Sequence, residues 1–197
     1  MIASVINLGN DCKVVCNKNY RVLPGDFKVV REEGVAVSTL LGSCVAACIR
    51  DRRNNVGGLN HFLLPNGARS DGEFSARYGV HAMEVLINEI LKAGSGDKRN
   101  LEAKVFGGGA FIGSGKADSV GEKNSIFVME YLHAENIDVV ASDLGGDRAR
   151  RVIFIPSTGL VRVNRLPNSA NAVAGLAERK LLQRIVTVPR SSGVELF

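Results

Sequence analysis

The sequence predicts a mixed α+β domain and not a doubly wound parallel sheet. Extended and helical stretches follow one another without a regular strand–helix–strand rhythm. Glycine is plentiful, at 22 of 197 residues, which calls for many tight turns between short elements. The length suits one good-sized hydrophobic core, so a single domain spanning 1–197 is expected.

Taken in order, VLPGD (22–26) is a Pro-Gly turn that feeds a short strand at Phe27-Lys28-Val29-Val30. VAVSTLLG (35–42) and CVAACIRD (44–51) read as extended, and VGGLNHFLLP (56–65) as a third such piece closed by Pro65. From Tyr78 to Lys92 the apolar residues Val80, Met83, Leu86, Ile87, Ile90 and Leu91 form one stripe, which predicts a helix stopped by Gly94. EAKVFGG (102–108) reads as a strand. RRVIFIPSTGLVRV (150–163) reads as a hairpin turning at Ser157-Thr158-Gly159. Further helices are expected over 122–137 and over 171–185.

Charge and composition narrow the function. The chain carries a net charge of +5 with arginines clustered at 50–53 and 148–151, yet no aromatic residues interleave with them. Nucleic-acid binding is therefore not expected. No run of about 18 apolar residues exists to cross a membrane, and the first residues lack a secretory pattern. A cytoplasmic location is expected, with Cys12, Cys16, Cys44 and Cys48 reduced.

Two apparent motifs fail on chemistry. GGGAFIGSGK (107–116) resembles a phosphate-binding loop, but Ala110 replaces a required glycine and Ala117 the magnesium-binding hydroxyl. The pairs Cys12/Cys16 and Cys44/Cys48 lack zinc-knuckle spacing, and in a strand their members stand about 13 Å apart. No metal site is expected. His81 and His133 sit in helical patterns and read as ordinary surface or packed residues.

Cys44 and His61 are different. If 44–50 and 56–64 form a hairpin centred between Arg52 and Arg53, paired positions sum to 105 and Cys44 faces His61 directly. A neighbouring imidazole can take the thiol proton, create the thiolate nucleophile, and return the proton to a leaving group. Gly42-Ser43 lets the chain turn before Cys44 and frees amides to hold an oxyanion. A third group must orient the ring. Ser38 and Thr39 lie upstream, and Ser38 shares extended-chain parity with Cys44.

LGSCVAACIRD followed by GGLNHFLLP resembles the CheD family of chemoreceptor glutamine deamidases. The resemblance continues through YGVHAMEVLINEIL, AKVFGGGAFI, VGEKN, DLGGDRARRVIF and TGLVRV, and covers about residues 20–165. It implies a layered β-sandwich flanked by helices, a cysteine-hydrolase fold similar to bacterial toxin deamidases. The C-terminal helix and tail (167–197) lie outside this core. It implies Cys44 as nucleophile, His61 as base and Ser38 as third member, with Thr39 as the alternative. Ser43, Gly42, Gly108 and Asn124 are the expected oxyanion or substrate contacts, in a shallow exposed groove. Lys123 and Ala149 depart from the family's usual arginine and glycine, so a substrate contact there is expected to differ.

The implied activity is hydrolysis of glutamine side chains on methyl-accepting chemotaxis receptors, with no metal or organic cofactor. The implied partners are those receptors and a CheC-type phosphatase, and the protein is expected to be a monomer. The alternatives are a non-catalytic receptor adaptor and a cysteine hydrolase acting on other amides or esters.

Overall fold

A computed structural model describes residues 4–7, 13–64, 72–110 and 120–187. Its strands are β1 (Ser4–Asn7), β2 (Lys13–Cys16), β3 (Lys18–Arg21), β4 (Phe27–Val30), β5 (Val35–Leu41), β6 (Val45–Asp51), β7 (Val56–Asn60), β8 (Leu101–Gly107), β9 (Asp138–Leu144), β10 (Arg150–Ile155) and β11 (Leu160–Arg165). Its α-helices are α1 (Gly72–Ala93), α2 (Val120–Ala134) and α3 (Asn171–Thr187). The architecture is mixed α+β, as the irregular order of elements predicts.

One sheet has five strands in the order β4-β7-β6-β8-β9, and another has four in the order β11-β10-β5-β3. They stack face to face. Val37, Leu41 and Phe154 of the smaller sheet share a core with Cys44, Ala46 and Leu59 of the larger one. On its other face the larger sheet carries α1 and α2, through Val45, Ala47 and Ile49 against Met83, Leu86 and Val128. β6 is therefore buried on both sides, and this explains its unbroken apolar run. Each large side chain buried this way contributes about 1.5–3 kcal/mol.

The Gly-Gly before His61 is a packing requirement. A Cβ on Gly58 would lie 2.6 Å from the Lys28 carbonyl oxygen and 2.9 Å from Leu86 Cδ1, so α1 can settle on β7 only over a bare backbone. Asn60 ties the same elements together. Its Oδ1 accepts from the Ala47 amide at 3.0 Å, and its Nδ2 donates to the Ala82 carbonyl at 3.0 Å.

Some boundaries differ from the sequence reading. α1 starts at Gly72, before the apolar stripe that marks it begins. α2 ends at Ala134, not at residue 137, because Asn136 adopts φ 56°. The amides of Asn136 and Ile137 bond back to His133 and Leu132, and Ile137 packs in the same core as Leu132. β9 was not expected: its residues are mostly exposed, so it lacks the apolar signal of its neighbours, although it pairs in parallel with β8. The hairpin at 157–159 forms as expected, with Ile155 paired to Leu160.

The two sheets are also fastened by charge. Arg150 of β10 is 2 % exposed and pairs with Asp143 of β9 at 2.9 Å, while also donating to the Gly145 carbonyl. No described helix is long and apolar enough to cross a membrane.

Candidate active site

β5 and β6 belong to different sheets, and the bend at Gly42-Ser43 carries the chain from one to the other. Cys44 thus stands at the head of β6, in the core between the sheets. His61 follows β7 directly, with its amide bonded to the Asp26 carbonyl at 3.0 Å.

The hairpin register differs from the expected one. Asp51 pairs with Val56, and Val45 bridges to Phe62, so paired positions sum to 107 and not 105. Asp51 belongs to the strand and not to the turn, because its carboxylate accepts from the amides of Arg53, Asn54 and Ser95. Parity survives a shift of two. Cys44 and His61 share a face but stand diagonally, and diagonal neighbours remain within reach of long side chains.

The imidazole is oriented by Thr39, not by Ser38. Thr39 Oγ1 lies 2.8 Å from His61 Nδ1 and donates to the Val22 carbonyl at 2.9 Å. Counting parity from Cys44 back to Ser38 fails because the intervening bend changes sheets. Within β5, Thr39 has the parity of Val35, Val37 and Leu41, which face the other sheet. Ser38 has the parity of Ala36, which packs in a separate cluster with Cys16 and Ile155.

This geometry assigns the proton on the ring. A hydroxyl has one hydrogen, and Thr39 gives its own to Val22, so toward His61 it can only accept. Nδ1 therefore carries the N–H, and Nε2 is left with a bare lone pair. Nε2 is buried and has no hydrogen-bond partner among the described residues. Burial pushes the ring's pKa down from 6.5 to about 3, against a smaller opposing effect of the Val22 carbonyl. The imidazole is a neutral base throughout the physiological range.

The site is closed, contrary to the expected exposed groove. Cys44 is 0 % exposed and His61 is 2 % exposed. The cover is α3, whose Glu178 is itself 7 % exposed. The Cys44 amide donates to Glu178 Oε1 at 3.0 Å, and Ser43 Oγ donates to Glu178 Oε2 at 2.6 Å. The thiol is held protonated, its pKa raised by burial first, then by the Glu178 charge and by a hydrogen bond to that carboxylate. The expected thiol–imidazole hydrogen bond is not formed, since the bare Nε2 receives no donor among the described residues.

The other expected contacts divide. Ser43 and the Cys44 amide point to where an oxyanion could sit. Gly42 and Gly108 instead build the turn: the Gly109 amide donates to the Gly42 carbonyl at 2.8 Å, and the Gly108 amide to the Cys44 carbonyl at 2.8 Å. Gly108 has φ 65°, and a Cβ there would come within 1.9 Å of Ser125 Oγ. Residues 111–119, which follow Gly108 in the glycine-rich stretch, lie outside the described residues. So do Cys12 and the tail from residue 188.

Asn124 is a brace between two backbone segments. It is 0 % exposed, its Oδ1 accepts from the Leu64 amide at 2.8 Å, and its Nδ2 donates to the Ser43 carbonyl at 2.8 Å. Asn124→Ala strands both backbone groups and is expected to lower stability by about 2–4 kcal/mol. A urea titration checks it.

Tyr78 and Glu178 were not found in the sequence. A cavity of about 130 Å³ is lined by His61, Tyr78, Asp26, Asn60 and Ala82 among others. Burial raises the Tyr78 pKa, with Cys44 and Asp26 adding to it. Glu178 had one visible sign: it falls with Ala174 and Leu181 on the buried stripe of α3, where an unpaired charge is costly.

Fold and site together define a two-sheet α+β domain with a buried cysteine at a strand head and a threonine-held histidine on the same face. The family model described as CheD chemotactic sensory transduction matches residues 63–165. The probable chemoreceptor glutamine deamidase CheD of Xanthomonas campestris pv. campestris (strain B100) is 48 % identical over 177 residues, covering 90 % of this chain and 88 % of that protein. The protein of the same name from Bordetella petrii is 51 % identical over 162 residues, covering 81 % and 72 %. Among solved structures, a Neisseria meningitidis protein of family DUF152 aligns with a TM-score of 0.40 and 14 % identity, over 66 % of this chain and 64 % of that one. The chain belongs to the CheD family.

Proposed function

We propose that this protein is a chemoreceptor glutamine deamidase that works through Cys44 and His61. The observation that carries the reading is the bare, buried Nε2 of a histidine whose Nδ1 is held by Thr39, on the same face as a cysteine. The names of the curated relatives supply the substrate class.

With the site open, Nε2 takes the thiol proton and the thiolate attacks the side-chain carboxamide carbon of a receptor glutamine. The oxyanion is held by the Cys44 amide and Ser43 Oγ, the two donors that hold a carboxylate in the closed form. The imidazolium then protonates the departing nitrogen, and ammonia leaves. Nε2 next deprotonates water, which hydrolyses the thioester to glutamate and restores the thiol. Every proton is carried by thiol, imidazole or water.

Thr39 acts through the ring and is a positioning residue. Thr39→Val is expected to lower kcat on the order of 10–100-fold with KM little changed, and Thr39→Ser to restore most of it. Equal loss in both variants contradicts the role.

The reaction itself is tested with a purified receptor cytoplasmic fragment. Ammonia release without a change in chain length supports deamidation. A cleaved peptide bond or a transferred acyl group replaces it with a different cysteine-hydrolase activity.

A further inference from the structure

In this structure the donors meant for a substrate are already taken. A carboxylate is what deamidation leaves behind, and Glu178 presents one to Ser43 Oγ at 2.6 Å and to the Cys44 amide at 3.0 Å. These partners are a hydroxyl and an amide, not a cation. A buried carboxylate held, among the described residues, by neutral donors is held as an oxyanion or a product would be. Its carrier is a helix that lays Ala174, Glu178 and Leu181 inward, with Leu181 reaching the core between the sheets.

We propose that α3 occupies the groove in which a glutamine-bearing helix of the substrate docks, and that Glu178 is a built-in product mimic that keeps the site shut. This deepens the deamidase reading and rests on it.

The rest of α3 is built for displacement. Its start is pinned: Asn171 Oδ1 accepts from the Ala149 amide at 2.9 Å, and its Nδ2 donates to the Asp147 carbonyl at 3.0 Å. Past that anchor, the inward stripe described is short. Val173 and Leu176 are 58 % and 53 % exposed. With Glu178 withdrawn, the thiol loses the charge and hydrogen bond that help keep it protonated, and Nε2 is already without a competing partner. Opening therefore delivers a nucleophile and a base in one movement.

Two variants of the full-length chain test this. Glu178→Ala is expected to raise the rate of iodoacetamide labelling at Cys44, read by peptide mass spectrometry, by about tenfold or more. It is also expected to raise kcat/KM on receptor fragment by a similar factor. Unchanged labelling and turnover overturn the proposal, and so does a fall in turnover, which would make Glu178 a working part of the site. Glu178→Gln keeps the shape and replaces the product mimic by a substrate. Its carboxamide is attacked by Cys44, ammonia leaves, and water restores Glu178, so the purified chain is expected to become about one dalton heavier at that position. The double variant with Cys44→Ala is expected to keep its glutamine. A glutamine that persists at 178 in a chain still active on receptors overturns the proposal. Faster labelling and self-conversion with no ammonia from receptor fragment leave α3 as a lid and sink only the receptor assignment.

Discussion

Cys44→Ala is expected to abolish ammonia release from a receptor fragment, a loss on the order of 10⁴-fold or more, because no other group can form the thioester. Cys48 cannot substitute. It lies four residues further along the same face of β6, and burial raises its pKa far from the working range. The fold should survive. The side chain of Cys44 is small and sits in an apolar core, so its truncation costs roughly 1–2 kcal/mol. The pairing of a lost reaction with a nearly intact melting curve separates a nucleophile from a structural cysteine. Activity retained by the folded variant would remove Cys44 from the chemistry and leave a receptor-binding adaptor as the better reading.

His61→Gln is the second large effect. Glutamine can keep a hydrogen bond to Thr39 but cannot take up a proton, so kcat is expected to fall by about 10²–10⁴ with binding largely preserved. The same variant carries a second readout. Folded His61 has a pKa of about 3, below its ordinary 6.5. Between these values the unfolded chain binds the proton and the folded chain does not, so stability is lost as pH falls. From pH 7 to pH 5 this group alone is expected to remove about 2 kcal/mol from the wild type. The glutamine variant lacks that loss, and urea titrations at the two pH values measure the difference. An identical pH dependence in both chains would mean that the ring is not buried as a neutral base.

Much of this was legible because burial leaves a mark on residue choice. β5, β6 and β7 are apolar on both faces, α1 repeats its apolar positions at helical spacing, and the turn at 157–159 announces itself by its residues. What was not legible depends on where one element stops. Counting Asp51 as turn moved the hairpin register by two, since nothing in the local sequence says that Ser95 will hold its carboxylate. The resemblance puts Ser38 before Thr39 as third member, and strand parity carried through Gly42-Ser43 agrees with it, although the chain there leaves one sheet for the other. Read within β5 alone, the series Val35, Val37, Thr39, Leu41 already places the threonine toward the facing sheet.

Glu178 marks the other limit. It meets Cys44 from 134 residues away, and no local pattern encodes so distant a contact. Its only trace was a carboxylate on an otherwise apolar stripe. Asn124 is another such case: the sequence does not show that both ends of its amide are bonded to backbone.

Thiol and imidazole between these two sheets are expected to convert a receptor glutamine to glutamate. Peptide-resolved mass spectrometry of a receptor cytoplasmic fragment, incubated with wild type and with Cys44→Ala, reads it directly. Defined glutamines gaining about one dalton with the wild type alone is the expected result. Glutamines left unchanged by both proteins, or converted equally by both, would contradict it.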